Sequence, residues 1–345
     1  MVETKSFIEI NDILTNSEDL KSVIVNIAEV ACNLSRIISL GDTCNALNET
    51  IGTNSDGDNQ RNLDVIADRA YFEKLQNTAV RFYASEEKDK VIEINPDGTL
   101  GVAIDPLDGS SNIDTNLSIG SIFSIRKLEE PKKSKDRNWE NGFLSPGKKQ
   151  LAAGYIIFGP QTLMVLTTGK GVQQFVLDRE NKHFVLTRKA VEIPEDTREY
   201  AVNASNIRHW SKPVKKYIED SNAGEIGPRG ANFNMRWVAS LVAETHRILS
   251  RGGIFIYPAD DRKNYSSGRL RMVYECAPIA YLIEQAGGSA TDCINRILDI
   301  PAQDLHSRTP FAFGSRNEVA RLQAYHDLPD EEISPLFRRR GLFNS

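Results

Sequence analysis

Apolar residues at Leu20, Val23, Ile24, Ile27, Ala31, Leu34, Ile37 and Ile38 recur at the spacing of one helical face. A helix is therefore predicted after Ser17, a capping residue followed by Glu18 and Asp19, and Gly41 is read as its stop. Residues 48–62, rich in Asn, Gly, Asp and Thr with Ile51 as the one aliphatic side chain, read as an exposed, mobile loop. A second helix follows, carrying Leu63, Ile66, Ala67 and Ala70 inward with Asp64 near its start. The period then shortens to that of strands: Val80, Phe82 and Ala84 alternate up to Glu86-Glu87, and residues 100–104 run straight into Asp105. Residues 119–125, 151–158, 163–166, 172–177 and 183–186 continue as strands, with a charged loop over 127–149.

The second half mixes the two periods. Residues 237–250 are predicted helical, with Val238, Leu241, Val242, Thr245 and Leu249 on one side and Gly252-Gly253 as the close. Residues 253–257 form a strand ended by Pro258. Residues 275–286 form a helix that tolerates Pro278 in its first turn and stops at Gly287. A last helix is predicted to open with a capping box, Ser315 and Glu318, and residues 327–345 form a polar tail, read as partly disordered. This alternation predicts a layered α/β or α+β fold, in which ligands collect beyond strand ends.

Composition narrows the picture. The 345 residues suggest roughly two domains. A net charge of −5 argues against bulk-charge binding to nucleic acid or membrane, while leaving room for an anionic substrate held by local cations. Cys32, Cys44, Cys276 and Cys293 form no CxxC pair, as in a reducing compartment. The five His residues show no metal or triad spacing, and His246 and His306 are read as structural. The N-terminus has no apolar signal-like region. Residues 152–169 carry no charge, but Gly159-Pro160 divides them into two strand-sized runs, so no membrane span is read there.

The chemistry concentrates in residues 104–114, IDPLDGSSNID. A strand delivers Asp105 to its end, Pro106 is expected to stop that strand, and Asp108 follows so that both carboxylates face one point. Gly109-Ser110-Ser111 offers backbone N–H groups and small hydroxyls, an anion hole if it opens a helix or nest. Taken alone, Pro-x-Asp-Gly is also an ordinary turn. Glu86-Glu87 ends another strand; a twist there lets both reach one site. Asp58, Asp64 and Glu275 add carboxylates from three further segments. Gathered in one cleft, such groups need bound cations or raised pKa values, and an oxygen-only donor set selects Mg²⁺ or Mn²⁺ over Zn²⁺.

With these segments the chain resembles the class 1 fructose-1,6-bisphosphatases, within the wider inositol monophosphatase and sugar phosphatase group, over about residues 17–326. The carrying motifs are Gly57-Asp58 with Leu63-Asp64-Val65, Ser85-Glu86-Glu87, DPLDGSSNID at 105–114, GIFIYP at 253–258 and GRLRMVYEC at 268–276. The shorter DPxDG is shared with other sugar phosphatases. The resemblance implies a layered α-β-α-β-α sandwich of the sugar-phosphatase type, in which residues 1–195 bind metal (and in relatives effectors), 196–326 bind sugar phosphate and 327–345 form the tail. It implies hydrolysis of the 1-phosphate of fructose 1,6-bisphosphate in cytoplasmic carbohydrate metabolism, by a homotetramer with two or three Mg²⁺ ions per site and Mn²⁺ as a substitute. It assigns Glu86, Asp105, Asp108, Glu275, the Leu107 carbonyl and Asp58 to the metals. Asp64 and Glu87 would orient and deprotonate water. Asp108 and Gly109, Ser110 and Ser111 would receive the phosphate. Asn203, Tyr257 and a neighbouring subunit's copy of Arg236 would hold the 6-phosphate, with Arg269 and Arg271 along the sugar.

Several positions depart from the family pattern. Trp237 stands where Tyr is common, Arg269 where Lys is common, and Asn203 is followed by Ala204-Ser205-Asn206 rather than Gly-Tyr. These bear on substrate range, and sedoheptulose 1,7-bisphosphate is the alternative or additional substrate. A sugar-phosphate sensor without catalysis would have lost metal ligands, whereas every expected carboxylate is present. Thr99-Leu100 and Lys127 replace groups that hold AMP in animal relatives, so AMP inhibition by that mode is expected to be weak or absent. The loop over 127–149 has no Cys, which excludes the thiol switch of chloroplast forms.

Overall fold

The structure, a computed structural model, describes residue 15 and residues 17–41, 50–53, 59–128 and 139–327, with 50–53 and 59–61 as backbone path. Seven helices are described: α1 (Glu18–Leu40), α2 (Asn62–Leu75), α3 (Glu140–Leu144), α4 (Lys212–Asn222), α5 (Leu241–Arg251), α6 (Ala277–Gln285) and α7 (Arg316–His326). The strands up to the middle of the chain are β1 (Thr50–Thr53), β2 (Asn59–Arg61), β3 (Val80–Ser85), β4 (Ile92–Glu93), β5 (Leu100–Asp108), β6 (Ile119–Lys127), β7 (Gln150–Phe158), β8 (Thr162–Thr167), β9 (Val172–Asp178) and β10 (His183–Arg188). The later ones are β11 (Glu199–Val202), β12 (Asn234–Met235), β13 (Ile254–Tyr257), β14 (Leu270–Arg271), β15 (Ser289–Thr291), β16 (Arg308–Thr309) and β17 (Phe311–Gly314).

Two sheets order the molecule: an eight-stranded one, β10-β9-β8-β7-β6-β5-β3-β4, and a five-stranded one, β12-β11-β13-β17-β15. Side chains alternate across each. On β6, Phe123 enters a core with α1 and α2, while Ile122 faces the opposite way toward α5 and α6. On β13, Phe255 points into that same middle layer, and Ile254 and Ile256 point to a third core with α4 and α7. The result is the expected α-β-α-β-α sandwich, because each sheet has two apolar faces and each face takes a pair of amphipathic helices.

α1 forms as read: Ser17 Oγ accepts the Leu20 N–H at 3.3 Å, and Gly41, at φ 53°, closes the other end. Among the described helices α1 alone is long and apolar enough to cross a membrane, and its apolar side lies inside the first core. The uncharged stretch 152–169 forms two antiparallel strands, β7 and β8. Where a loop was predicted over 48–62, β1 and β2 pair antiparallel; residues 54–58 and the tail from 328 lie outside the described residues.

Three expectations are corrected. The strand entering Asp105 does not stop at Pro106. β5 runs on to Asp108, with an irregular register between Asp105, opposite Ile122, and Asp108, opposite Gly120. An extra residue opposite β6 accommodates Pro106, which has no N–H to give the ladder. The helix expected from Trp237 begins at Leu241, because Ser240 is its cap and accepts the Ala243 N–H at 3.3 Å. The capping box at Ser315 and Glu318 is absent. Ser315 Oγ accepts the Gly253 N–H, and Glu318 accepts from Tyr217 and Arg229, stronger partners in a buried setting.

Candidate active site

β5 carries Asp105, Leu107 and Asp108, all buried, to the edge of a cavity of about 590 Å³. The kink at Pro106 is bolted from behind: its carbonyl accepts the Ser121 hydroxyl at 2.8 Å, and Tyr71 donates to Ser121 Oγ at 3.0 Å. Asp105 Oδ1 accepts the Leu107 N–H at 3.0 Å, which orients that carboxylate locally. Gly109 then adopts φ 80°, the left-handed conformation that glycine takes without strain, and opens a 3-10 turn over Ser110–Thr115. Asn112 fixes this turn, donating from Nδ2 to the Ala239 carbonyl at 3.0 Å. Ala239 itself sits at φ 58°, an uncommon place for a residue with a Cβ.

Two other elements close on the same point. The N-terminus of α5 offers the Val242 N–H to Asp108 Oδ2 at 3.1 Å. Glu275 stands in a π turn over Met272–Cys276 that leads into α6. Pro278 has no N–H for the Tyr274 carbonyl, so the chain enters α6 through this wider turn. Glu275 Oε2 accepts the Arg271 N–H at 2.6 Å, and the Arg271 guanidinium pairs with Glu86 at 2.7 Å.

Oxygen atoms of Asp105, Asp108 and Glu275 thus lie within 4.8 Å of one another, all buried. At that separation each charged pair repels by about 3 kcal/mol for an effective dielectric of 20. Burial, then Glu86 and Asp108, push the Asp105 carboxyl well above its ordinary range. Asp108 is raised to about 7 by burial, with Glu86 adding and the Val242 N–H opposing. Glu275 is raised to about 8 by burial and Glu86, against Arg271. Such a cluster holds either protons or cations. With carboxylate oxygens and no imidazole or thiol, the donor set fits a hard divalent ion such as Mg²⁺.

Most residues singled out in the sequence meet here. Asp64, Glu86, Glu87, Asp105, Leu107, Asp108 and Glu275 line the cavity, as do Gly109, Ser110 and Ser111. Asn203, Tyr257, Arg269 and Arg271 line it too. The Arg269 guanidinium lies over the Tyr257 ring at 5.8 Å and the Tyr265 ring at 4.5 Å. Arg236 is not brought into this cavity; it is half-exposed and faces Glu199 at 3.6 Å. Asp58 lies outside the described residues. Trp237 lines the wall, stacked on Phe255 at 5.9 Å. Arg308 also lines it and escaped the sequence reading: it is paired in register with Arg271 between β16 and β14, and no motif surrounds it. His246 bonds Tyr155 and His306 bonds the Lys88 carbonyl, and neither lines the cavity.

Two family descriptions match the chain: "Fructose-1-6-bisphosphatase, N-terminal domain" over residues 4–189 and "Fructose-1-6-bisphosphatase, C-terminal domain" over 193–327. The chain is 54% identical to "Fructose-1,6-bisphosphatase class 1 1" of Bradyrhizobium sp., which covers 95% of both chains. It is 53% identical to "Fructose-1,6-bisphosphatase class 1" of Paracoccus denitrificans, over 94% of this chain and 96% of that one. The crystal structure of Leishmania major fructose-1,6-bisphosphatase in holo form superposes with a TM-score of 0.88 at 33% identity, covering 94% of this chain and 100% of that one.

Proposed function

Because the chain belongs to the fructose-1,6-bisphosphatase family, we propose that it hydrolyses the 1-phosphate of D-fructose 1,6-bisphosphate to fructose 6-phosphate and phosphate. The observation that carries this reading is the convergence of Asp105, Asp108 and Glu275 beside the Gly109 turn, in a cavity that Arg269, Arg271, Arg308, Trp237 and Tyr257 also line. Asp105, Asp108, Glu275, Glu86 and the Leu107 carbonyl would hold Mg²⁺, with Asp58 adding a ligand. Bound there, two or three such ions would neutralise phosphoryl charge and lower the pKa of water.

The chain's own groups do the rest. Backbone N–H groups and hydroxyls of Gly109, Ser110 and Ser111 receive the 1-phosphate oxygens. Glu87, with Asp64, orients the attacking water and accepts its proton at a carboxylate oxygen. Asn203, Tyr257, Arg269 and Arg271 hold the sugar and its 6-phosphate, and Arg236 serves a neighbouring copy in a homotetramer. In this reading residues 1–195 bind metal, residues 196–326 bind sugar phosphate, and the enzyme works in the cytoplasm.

Phosphate release from fructose 1,6-bisphosphate and sedoheptulose 1,7-bisphosphate, each with Mg²⁺ and with a chelator, tests this. Metal-dependent release from the fructose ester is the expected result. Release from the sedoheptulose ester alone gives the alternative substrate, and no release from either ends the reading.

A further inference from the structure

The two residues assigned to the attacking water come from different elements: Asp64 from the first turn of α2, Glu87 from the turn that follows β3. Their separation depends on how α2 is held against that turn. One buried carboxylate joins the two. Asp68, 4% exposed, lies one helical turn after Asp64 on α2. Its Oδ2 pairs with Lys88 Nζ at 2.7 Å, and Lys88 directly follows Glu87. Its Oδ1 accepts the Tyr83 hydroxyl of β3 at 2.9 Å.

The turn itself is pinned on both sides of Glu87. The Glu86 N–H donates to the Ile104 carbonyl at 3.0 Å, the Lys88 N–H to the Ser85 carbonyl at 3.1 Å, and the Glu87 N–H to Ser85 Oγ at 3.2 Å. From the far side, His306 Nε2 lies 3.1 Å from the Lys88 carbonyl. Lys88 is thus held at its ammonium by α2 and at its carbonyl by the 304–307 loop, whose His306 ring also rests against Tyr274, next to Glu275.

We infer that Asp68 and Lys88 are positioning residues, an ion-paired lock that sets the distance between Asp64 and Glu87 and so the placement of the attacking water. The inference rests on the function proposed above. Lys88 is one-third exposed, and its pair is charge-assisted yet reached from the surface, so removing the cation leaves the fold standing. Asp68 keeps its bond from Tyr83 in that variant, but α2 loses its tie to the turn. A misplacement on the order of 1 Å in such a site costs about 100-fold in rate.

The test is phosphate release by Lys88→Met, Asp68→Asn, the double variant, Lys88→Arg and the control Lys74→Met. Lys74 lies on the same helix but pairs with Glu29, away from the cavity. For Lys88→Met and Asp68→Asn the expected result is a kcat lowered by about 10- to 100-fold with KM changed by less than about 2-fold. The double variant is expected to fall no further than either single one. Lys88→Arg should recover most of the rate, and Lys74→Met should match the wild type. In an Asp64→Asn background, Lys88→Met should cost nothing more. An active wild type with an unaffected Lys88→Met overturns the lock, as does a loss that simply adds to that of Asp64→Asn. A wild type silent on both bisphosphates instead overturns the proposed activity, and the lock with it.

Discussion

Replacing Asp108 by Asn should abolish activity and yet make the metal-free protein more stable above neutral pH. In the folded protein the Asp108 carboxyl is raised from 3.8 to about 7, chiefly by burial. The unfolded chain releases this proton near its ordinary pKa, and the folded chain keeps it. The contribution of Asp108 to stability is therefore full at low pH, falls as pH rises from about 4, and is gone above about 7. A tenfold difference in proton affinity is about 1.4 kcal/mol, so the full penalty is about 4 kcal/mol. At pH 5 only about 1.6 kcal/mol of it has developed. Asn carries no charge, and its amide oxygen can still accept the Val242 N–H. The stability of Asp108→Asn relative to wild type should thus improve by about 3 kcal/mol between pH 5 and pH 8. For 345 residues the entropy of unfolding is about 0.7 kcal/mol/K, so the relative midpoint should move by about 4 °C. The assay is thermal unfolding of both proteins in chelator at the two pH values. With Mg²⁺ the gap at pH 8 should shrink by more than half, because wild type gains about 2.7 kcal/mol at a hundredfold excess over Kd. A gap that does not change with pH refutes the electrostatic account of the cluster.

Glu275→Gln should lower kcat by at least about 100-fold while far-ultraviolet circular dichroism stays that of wild type, since it removes one of the three converging carboxylates. Arg229→Met breaks an ion pair with Glu318 in which both side chains are nearly inaccessible, so unfolding in urea should show a loss of about 3–5 kcal/mol, away from the active cavity. Gly120→Ala should fail to reach wild-type stability or activity. Gly120 lies opposite Asp108 on β6, and a Cβ there falls 2.2 Å from the Ile156 carbonyl oxygen. A soluble Gly120→Ala enzyme with an unchanged melting midpoint contradicts that packing.

The layers and the acidic cluster of the cavity were legible because their signals are local. α1 displays its face over 23 residues, and DPLDGSSNID places its carboxylates and its turn within ten positions. What was not legible depended on partners far away in the chain. Pro106 reads as a stop until β6 is beside it to absorb the bulge. Ser315 and Glu318 have capping-box spacing, but their preference was decided by Gly253, Tyr217 and Arg229. β11, β15 and β17 are three or four residues long, too short to show a period, and exist because β13 pairs with its neighbours. α4 was a different miss. Val214, Tyr217 and Ile218 have helical spacing behind Ser211, but a run of lysines dilutes the pattern. Arg308 shows the limit most plainly, since only its register opposite Arg271 turns it toward the cavity.

The left-handed backbone at Ala239 has an effect on how this enzyme tolerates change. A residue with a Cβ gives up roughly 1–2 kcal/mol in that conformation. The Asn112 amide and the start of α5 hold it there from either side. Glycine at 239 relieves the strain but widens the range of shapes open to the unfolded and the folded segment alike, so the aromatic face formed by Trp237 would be aimed less sharply. Any bulkier or branched side chain deepens the strain next to the Gly109 turn. Position 239 is thus a narrow gate for sequence drift, where rigidity of the cavity wall and ease of folding pull in opposite directions.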